Sequence, residues 1–326
     1  MKVFPTTAIG GGIQTYLPLF RQLAEQDKFE IHRLTDDPKE ADLILFLDGH
    51  QHYTDLNLDA IRRHPLLQKY RAKTFVYNEL DQPWCAVPGL YVSMPRRFFD
   101  WQQQRPCSYL FLINDLSTYA GPSHPDPRLL FSYLGRRCHP VRDGILSLSH
   151  PRAHVEDTTT LDFFGASSEE IEKHKRRYAD IVRDSKFVIC PRGGGLSSFR
   201  LFETMSAGRV PVIVSDEWVP PVGPDWSKSA IRVPEANVSE IPALLEAAEA
   251  LFPEMAQEAR RQWEGWFSPT VLFHRMVDNC EAIIQSRFQV QTSKPRIADP
   301  RYLYLWARSA KWKLRHIFDQ RPAIAD

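Results

Sequence analysis

Between Arg192 and Glu203 the chain gathers Arg192, Gly193, Gly194, Gly195, Ser197, Ser198, Arg200 and Glu203, a set of residue types suited to holding an anion. Consecutive glycines let the backbone take positive φ and approach a ligand with no Cβ in the way. Ser197 or Ser198 can cap a helix beginning there, whose first N–H groups then face whatever occupies the turn. Those amides and the helix dipole favour an anion, most often a phosphate. Arg200 and Glu203 stand three apart and share a helix face. A guanidinium fork suits bidentate contact with phosphate, and a carboxylate beside it suits the paired hydroxyls of a ribose or hexose. The set therefore describes a nucleotide diphosphate with a sugar attached. A solvated i,i+3 ion pair is the plainer alternative for Arg200 and Glu203.

The surrounding residues position this turn. Phe187 to Cys190 and Val210 to Val214 are continuous apolar, β-branched runs, as expected of parallel strands buried on two faces. Gly208 lies where a left-handed residue ends the intervening helix, so the segment reads as one βαβ unit. Earlier in the chain, Lys2 to Phe4 begin a strand, and Gly10, Gly11 and Gly12 open a helix whose Ile13, Tyr16, Leu17, Phe20 and Leu23 recur at helical spacing. Leu43–Leu47 is a strand ending in Asp48, Gly49 and His50; Thr74–Tyr77 is another, ending in Asn78, Glu79, Leu80 and Asp81. Ligands of open α/β sheets sit beyond such carboxyl ends. Three prolines and a glycine within residues 120–127 mark a linker, and Leu129–Leu134 restarts with a strand. A basic loop follows, Gly135, Arg136, Arg137, His139 and Arg142. Residues 167–184 form a capped, charged surface helix that reads as structural, and Trp263 and Trp266 read as packing residues.

Composition narrows the classes. At 326 residues the chain exceeds one comfortable core and predicts about two domains. A formal net charge of +1 supplies no global field toward nucleic acid. The five cysteines, Cys85, Cys107, Cys138, Cys190 and Cys280, are widely spaced without a CxxC pair, and read as reduced, mostly buried thiols with no metal site. Asp36 and Asp37 are adjacent carboxylates that a turn explains. No run reaches the roughly 18 to 20 apolar residues of a membrane span, and no long signal-type apolar region opens the chain, so a cytoplasmic location is expected. No Gly-Lys-Ser or Gly-Lys-Thr follows a glycine turn, which excludes a P-loop kinase.

The order Pro191, Arg192, Gly193, then Ser198, Phe199, Arg200, Leu201, Glu203, Gly208, Pro211, Val212 and Ile213, then Asp225, Trp226, Ser227, Lys228 and Arg232 to Glu235, resembles the signature of the exostosin-type glycosyltransferases (GT47). The resemblance covers roughly residues 183–245, with fainter echoes at Tyr91–Pro95 and Gly135–Arg142. It implies a GT-B fold, two Rossmann-like lobes with parallel sheets facing a central cleft. It also implies inverting transfer of a sugar from a nucleotide donor, commonly UDP-linked; the acceptor expected is a glycan or, if the basic stretch 301–318 meets a membrane, a lipid-linked glycan. Carried over, Arg192 and Arg200 would hold the pyrophosphate, the Gly193 to Ser198 turn would line it, and Glu203 would bind donor hydroxyls; Arg142 is favoured as a further phosphate contact. The loop at Gly10 to Gly12 would face the cleft. Two departures stand: no apolar anchor is visible, and Pro220 to Pro224 replaces an apolar Leu-Pro-Phe stretch.

The lobes are expected at 1–122 (acceptor) and 128–290 (donor), with a helical segment at 291–326 that packs back on the first lobe or touches a membrane through its basic, aromatic stretch 301–318. An inverting transfer needs a base, for which Asp48, Glu79, Asp81 and His50 are the candidates. No cofactor or metal is expected, since arginines and helix amides supply the charge opposite the departing nucleotide. Two other classes stay open. In an NAD(P)-dependent oxidoreductase, Gly193, Gly195 and Ser198 would approximate GxGxxG, with Asp216 about 20 residues on. A non-catalytic sugar-nucleotide binder would keep Arg200 and Glu203 but need none of the first-lobe acids.

Overall fold

The computed structural model describes residues 1–9, 16–48, 58–81, 83, 85–110, 112–114, 127–161 and 167–289. The glycines at 10–12, His50 and the segment 291–326, including 301–318, lie outside the described residues.

The first lobe runs β1 (Lys2–Thr6), α1 (Leu17–Glu25), β2 (Arg33–Leu34), β3 (Leu43–Phe46), α2 (Asp59–Arg63), α3 (Pro65–Lys69), β4 (Thr74–Asn78), β5 (Gly89–Tyr91) and β6 (Gln104–Pro106). These strands form one parallel sheet ordered β2-β1-β3-β4-β5-β6. Every residue of β3 and β4 is buried, the apolar run of β3 throughout and in β4 also the polar Thr74 and Asn78, as central strands of a parallel sheet covered on both faces must be.

The second lobe runs β7 (Leu129–Gly135), α4 (Pro140–Leu146), β8 (Ala153–Asp157), α5 (Ser168–Arg183), β9 (Ser185–Pro191), α6 (Phe199–Ser206), β10 (Val210–Val214), α7 (Trp226–Ser229), β11 (Ile231–Arg232), α8 (Ile241–Ala248) and α9 (Phe252–Trp266). Its sheet is also parallel, ordered β11-β10-β9-β7-β8. Pro211 is tolerated inside β10 because β11 pairs only with Val212 and Ile213, leaving the proline's side of the strand uncovered. The capping box predicted at the start of α5 is present, with Ser167 Oγ accepting from Glu170 N–H and the Glu170 carboxylate accepting from Ser167 N–H. Gly208 has φ +63° and ends α6 as predicted.

Among the described residues, the helix that crosses back onto the first lobe is α10 (Pro269–Gln289). Lys28 N–H donates to Thr270 O at 2.9 Å, Phe273 packs edge-on against Phe20, and Arg105 donates to Ala282 O at 3.0 Å. Asp278 receives His32 Nε2 and His274 Nε2, each at 3.0 Å, which clamps α10 to the entry of β2. The three side chains could also hold a cation.

The lobes are packed face to face. One apolar cluster joins Leu45, Tyr77 and Leu90 of the first lobe to Val188, Leu201 and Phe202 of the second. Pro95 bridges to Trp218, Arg96 N–H donates to Glu217 O at 2.9 Å, and Tyr109 stacks on Phe199 with ring centroids 3.5 Å apart.

Candidate functional site

The order of the second sheet reverses between β9 and β7, and ligands of open parallel sheets sit beyond the strand ends at such a switch point. A cavity of about 370 Å³ lies there, between the turn after β9, the start of α4, one face of α5 and, from the first lobe, Asp81, Tyr109 and Asn114. Its size is that of a small-molecule pocket.

Gly193, Gly194, Gly195, Ser197 and Ser198 all line this cavity. The reason for the glycines differs from the expectation. Among the described residues only Gly208 and Gly223 are glycines with positive φ, so the turn is not built on left-handed backbone. Close approach explains them. A Cβ at Gly193 would stand 2.8 Å from an Arg142 guanidinium nitrogen, and at Gly194 and Gly195 it would stand 2.6 Å from the two Asp81 carboxylate oxygens. Ser198 is the N-cap residue of α6, but its side chain makes no capping hydrogen bond, which corrects that expectation. Ser197 N–H donates to Ser93 Oγ across the lobes at 3.3 Å, and Ser197 Oγ is buried without a hydrogen-bond partner among the described residues.

Three guanidinium groups line the cavity: Arg177, which is paired with Glu156, and Arg142 and Arg200. Arg142 is nearly buried and held by Nε–H to Arg192 O (2.8 Å) and an N–H to Arg136 O (3.2 Å). Arg200 donates from Nε to Leu134 O at 2.9 Å, and its guanidinium lies over the Tyr133 ring. Burial and then the like charge of Arg200 lower the Arg142 pKa from its ordinary value. Like charges that face one cavity, Arg142 buried and Arg200 half-buried, favour an anion between them.

Glu203 is buried beside this pair, accepting from Asn114 N–H at 2.8 Å with the Tyr178 phenol adjacent. Burial raises its pKa, opposed by the Asn114 amide and by Arg200. Facing it from the first lobe, Asp81 accepts from the Gly195 amide; burial raises its pKa, opposed by Arg142 and that amide. Arg142, Arg200, Glu203 and the glycine turn thus meet in one cavity, with Asp81 opposite.

Other expected site residues are placed elsewhere. Arg192 does not line the cavity; its guanidinium turns to Glu235, 3.8 Å away. Asp48 is fully buried and accepts from the Ala8 and Ile9 amides at 2.7 and 2.9 Å, anchoring the loop after β1. Glu79 accepts from the Tyr16 and Tyr77 hydroxyls inside the first-lobe core. Both corrections have one cause: a carboxylate at a strand end is as readily used to tie down loops and phenols as to do chemistry. In the basic loop, Arg137 pairs with Asp143 and Asp157, leaving Arg142 as the member that reaches the cavity. Asp216, the acid an oxidoreductase would need, exchanges hydrogen bonds with Glu235 and stays outside the cavity. Cys107, Cys190 and Cys280 are buried, as expected of most of the thiols, while Cys138 is exposed and lines the cavity.

Several residues went unread in the sequence. Helix α5 contributes Lys175 and Tyr178 to the cavity, although its charge pattern reads as a surface helix. Tyr178 stands on the one face of α5, with Ala179 and Val182, that its apolar positions could have marked. Asn114 carried no local signal, and Ser93 was marked only as part of the fainter echo at Tyr91–Pro95.

Two parallel Rossmann-like sheets enclosing an arginine-lined cleft define a protein of the GT-B architecture. Residues 136–248 match the Exostosin GT47 domain. It is 35% identical over 98 residues to the Exostosin-1 homolog of Caenorhabditis elegans, covering 29% of this chain and 26% of that protein. With human Exostosin-2 it shares 28% over 158 residues, 44% of this chain and 21% of the relative. The chain thus spans about a quarter or less of the length of these relatives. Among solved structures, TarM aligns over 81% of this chain and 58% of its own, at 10% identity and a TM-score of 0.43. Among the described residues, no helix is long and apolar enough to cross a membrane.

Proposed function

We propose that this chain is an inverting glycosyltransferase that moves a sugar from a UDP-linked donor to a glycan or lipid-linked glycan acceptor. The observation that carries the reading is the convergence of Arg142, Arg200, the Gly193–Ser198 turn and Glu203 on one cavity at the switch point of the second sheet. The diphosphate lies against the glycine turn, where the guanidiniums of Arg142 and Arg200 and the first amides of α6 face it. Glu203 accepts from donor hydroxyls with the oxygen capacity that Asn114 leaves.

In the transfer, an acceptor hydroxyl oxygen bonds to the anomeric carbon as the bond from that carbon to the phosphate oxygen breaks, and the nucleoside diphosphate departs with the electron pair. The acceptor's proton passes to Asp81, the first-lobe candidate acid that lines the cavity. Burial raises its pKa, which makes its carboxylate a stronger proton acceptor. The arginines and amides stabilise the charge growing on the leaving diphosphate.

A panel of nucleotide sugars and NAD(P)H, scored by thermal stabilisation and by donor hydrolysis, tests this. Stabilisation and slow hydrolysis by one nucleotide sugar are expected. Stabilisation by NADH with no response to any nucleotide sugar would return the oxidoreductase reading.

A further inference from the structure

The glycine turn already has an anion on it, and that anion belongs to the other lobe. Asp81 presses both carboxylate oxygens against Gly194 and Gly195, so closely that any Cβ at either position would collide with it. It also accepts from the Gly195 amide and lies in the field of Arg142. These are the contacts that the proposed function assigns to a donor phosphate. One amide and one face of the turn cannot serve two anions together, and a diphosphate beside an ionised carboxylate is repelled by it.

Resting on that reading, we propose that Asp81 is a tethered competitor of the donor: its carboxylate occupies the diphosphate position on the Gly194–Gly195 turn, and a bound donor displaces it toward the acceptor. The consequence is an ordered device. The base is withheld on the amide nest while no diphosphate competes for it, and the act of seating the donor releases it. Ser93, on the same side of the cleft, ties the first lobe to the same turn by accepting from Ser197 N–H. The coupling is reciprocal, because whatever the carboxylate gains on the turn is subtracted from donor affinity. The site therefore trades donor affinity for a base that is released only when the donor is in place.

Isothermal titration with inorganic pyrophosphate and with UDP, on wild type, Asp81→Asn and Asp81→Ala, tests the proposal. Asparagine keeps the size and removes the charge, and alanine removes both charge and contact. Pyrophosphate is expected to bind Asp81→Asn roughly fivefold or more tighter than wild type, the lower end of usual coupling strengths, and Asp81→Ala at least as tightly. Equal affinity in all three proteins overturns the competition while leaving the donor site standing. Weaker binding by the folded variants also overturns it, since Asp81 would then support the turn. No binding of either probe to any of the three removes the donor site itself, and the inference with it.

Discussion

Replacing Arg200 with alanine removes one of the three guanidiniums that line the cleft while leaving the glycine turn intact. In the structure Arg200 is anchored through Nε to Leu134 O and lines the cavity. One charge-assisted hydrogen bond is worth about 1.5–3 kcal/mol. Its loss is partly offset, because Arg142 is freed from a like charge that lowers its pKa. The lower part of the range is therefore expected, about 1.5–2 kcal/mol, or roughly a 10- to 30-fold weaker Kd. Titration calorimetry with UDP measures this directly, below the unfolding temperature of both proteins. Arg200→Lys keeps the charge without the fork and should fall between wild type and alanine. Unchanged affinity in a folded Arg200→Ala protein would refute the assignment of this guanidinium to the diphosphate.

Arg192→Ala should change UDP affinity by less than about threefold, because its guanidinium faces Glu235 and a partly exposed pair of this kind is worth little; a loss as large as that of Arg200→Ala would show that the side chain swings into the cleft. Asp81→Asn should lower turnover by about 10² to 10⁴, the usual contribution of a general base, measured as sugar transfer at saturating donor; near-normal turnover would send the search for the base back to His50 or beyond. The clamp on α10 should make the protein acid-labile. Burial lowers the His274 pKa from its ordinary value, against the pull of Asp278 and with that of His32. Its contribution is therefore complete above the unfolded value near 6.5 and is lost as pH falls through the lower folded value. Thermal melts at neutral and acidic pH should show a smaller acid penalty in His274→Gln than in wild type, and identical penalties would contradict the assignment.

The βαβ unit around the glycine turn was legible because its signals are local: apolar strands, Gly208 at the helix end, and polar residues at fixed spacing. The Ser167–Glu170 box was legible for the same reason. What the sequence concealed lies across distance. Whether Arg192 points at a phosphate or at Glu235 depends on a loop after β11. Asp48, Glu79 and Asp81 look alike as acids at strand ends, and only the docking of the second lobe on the first separates Asp81 from the other two. The same docking brings Asn114 to Glu203 and puts one face of α5 into the cleft. His32 and Asp278 meet only because α10 returns to the first lobe.

The central claim is that the turn before Phe199 holds the diphosphate of an activated sugar. A crystal structure with UDP bound tests it most directly. The account predicts the phosphates against Gly194 and Gly195, within hydrogen-bond reach of Arg142 and Arg200, with the ribose hydroxyls toward Glu203. A nucleotide bound elsewhere, with those five residues untouched, would contradict it.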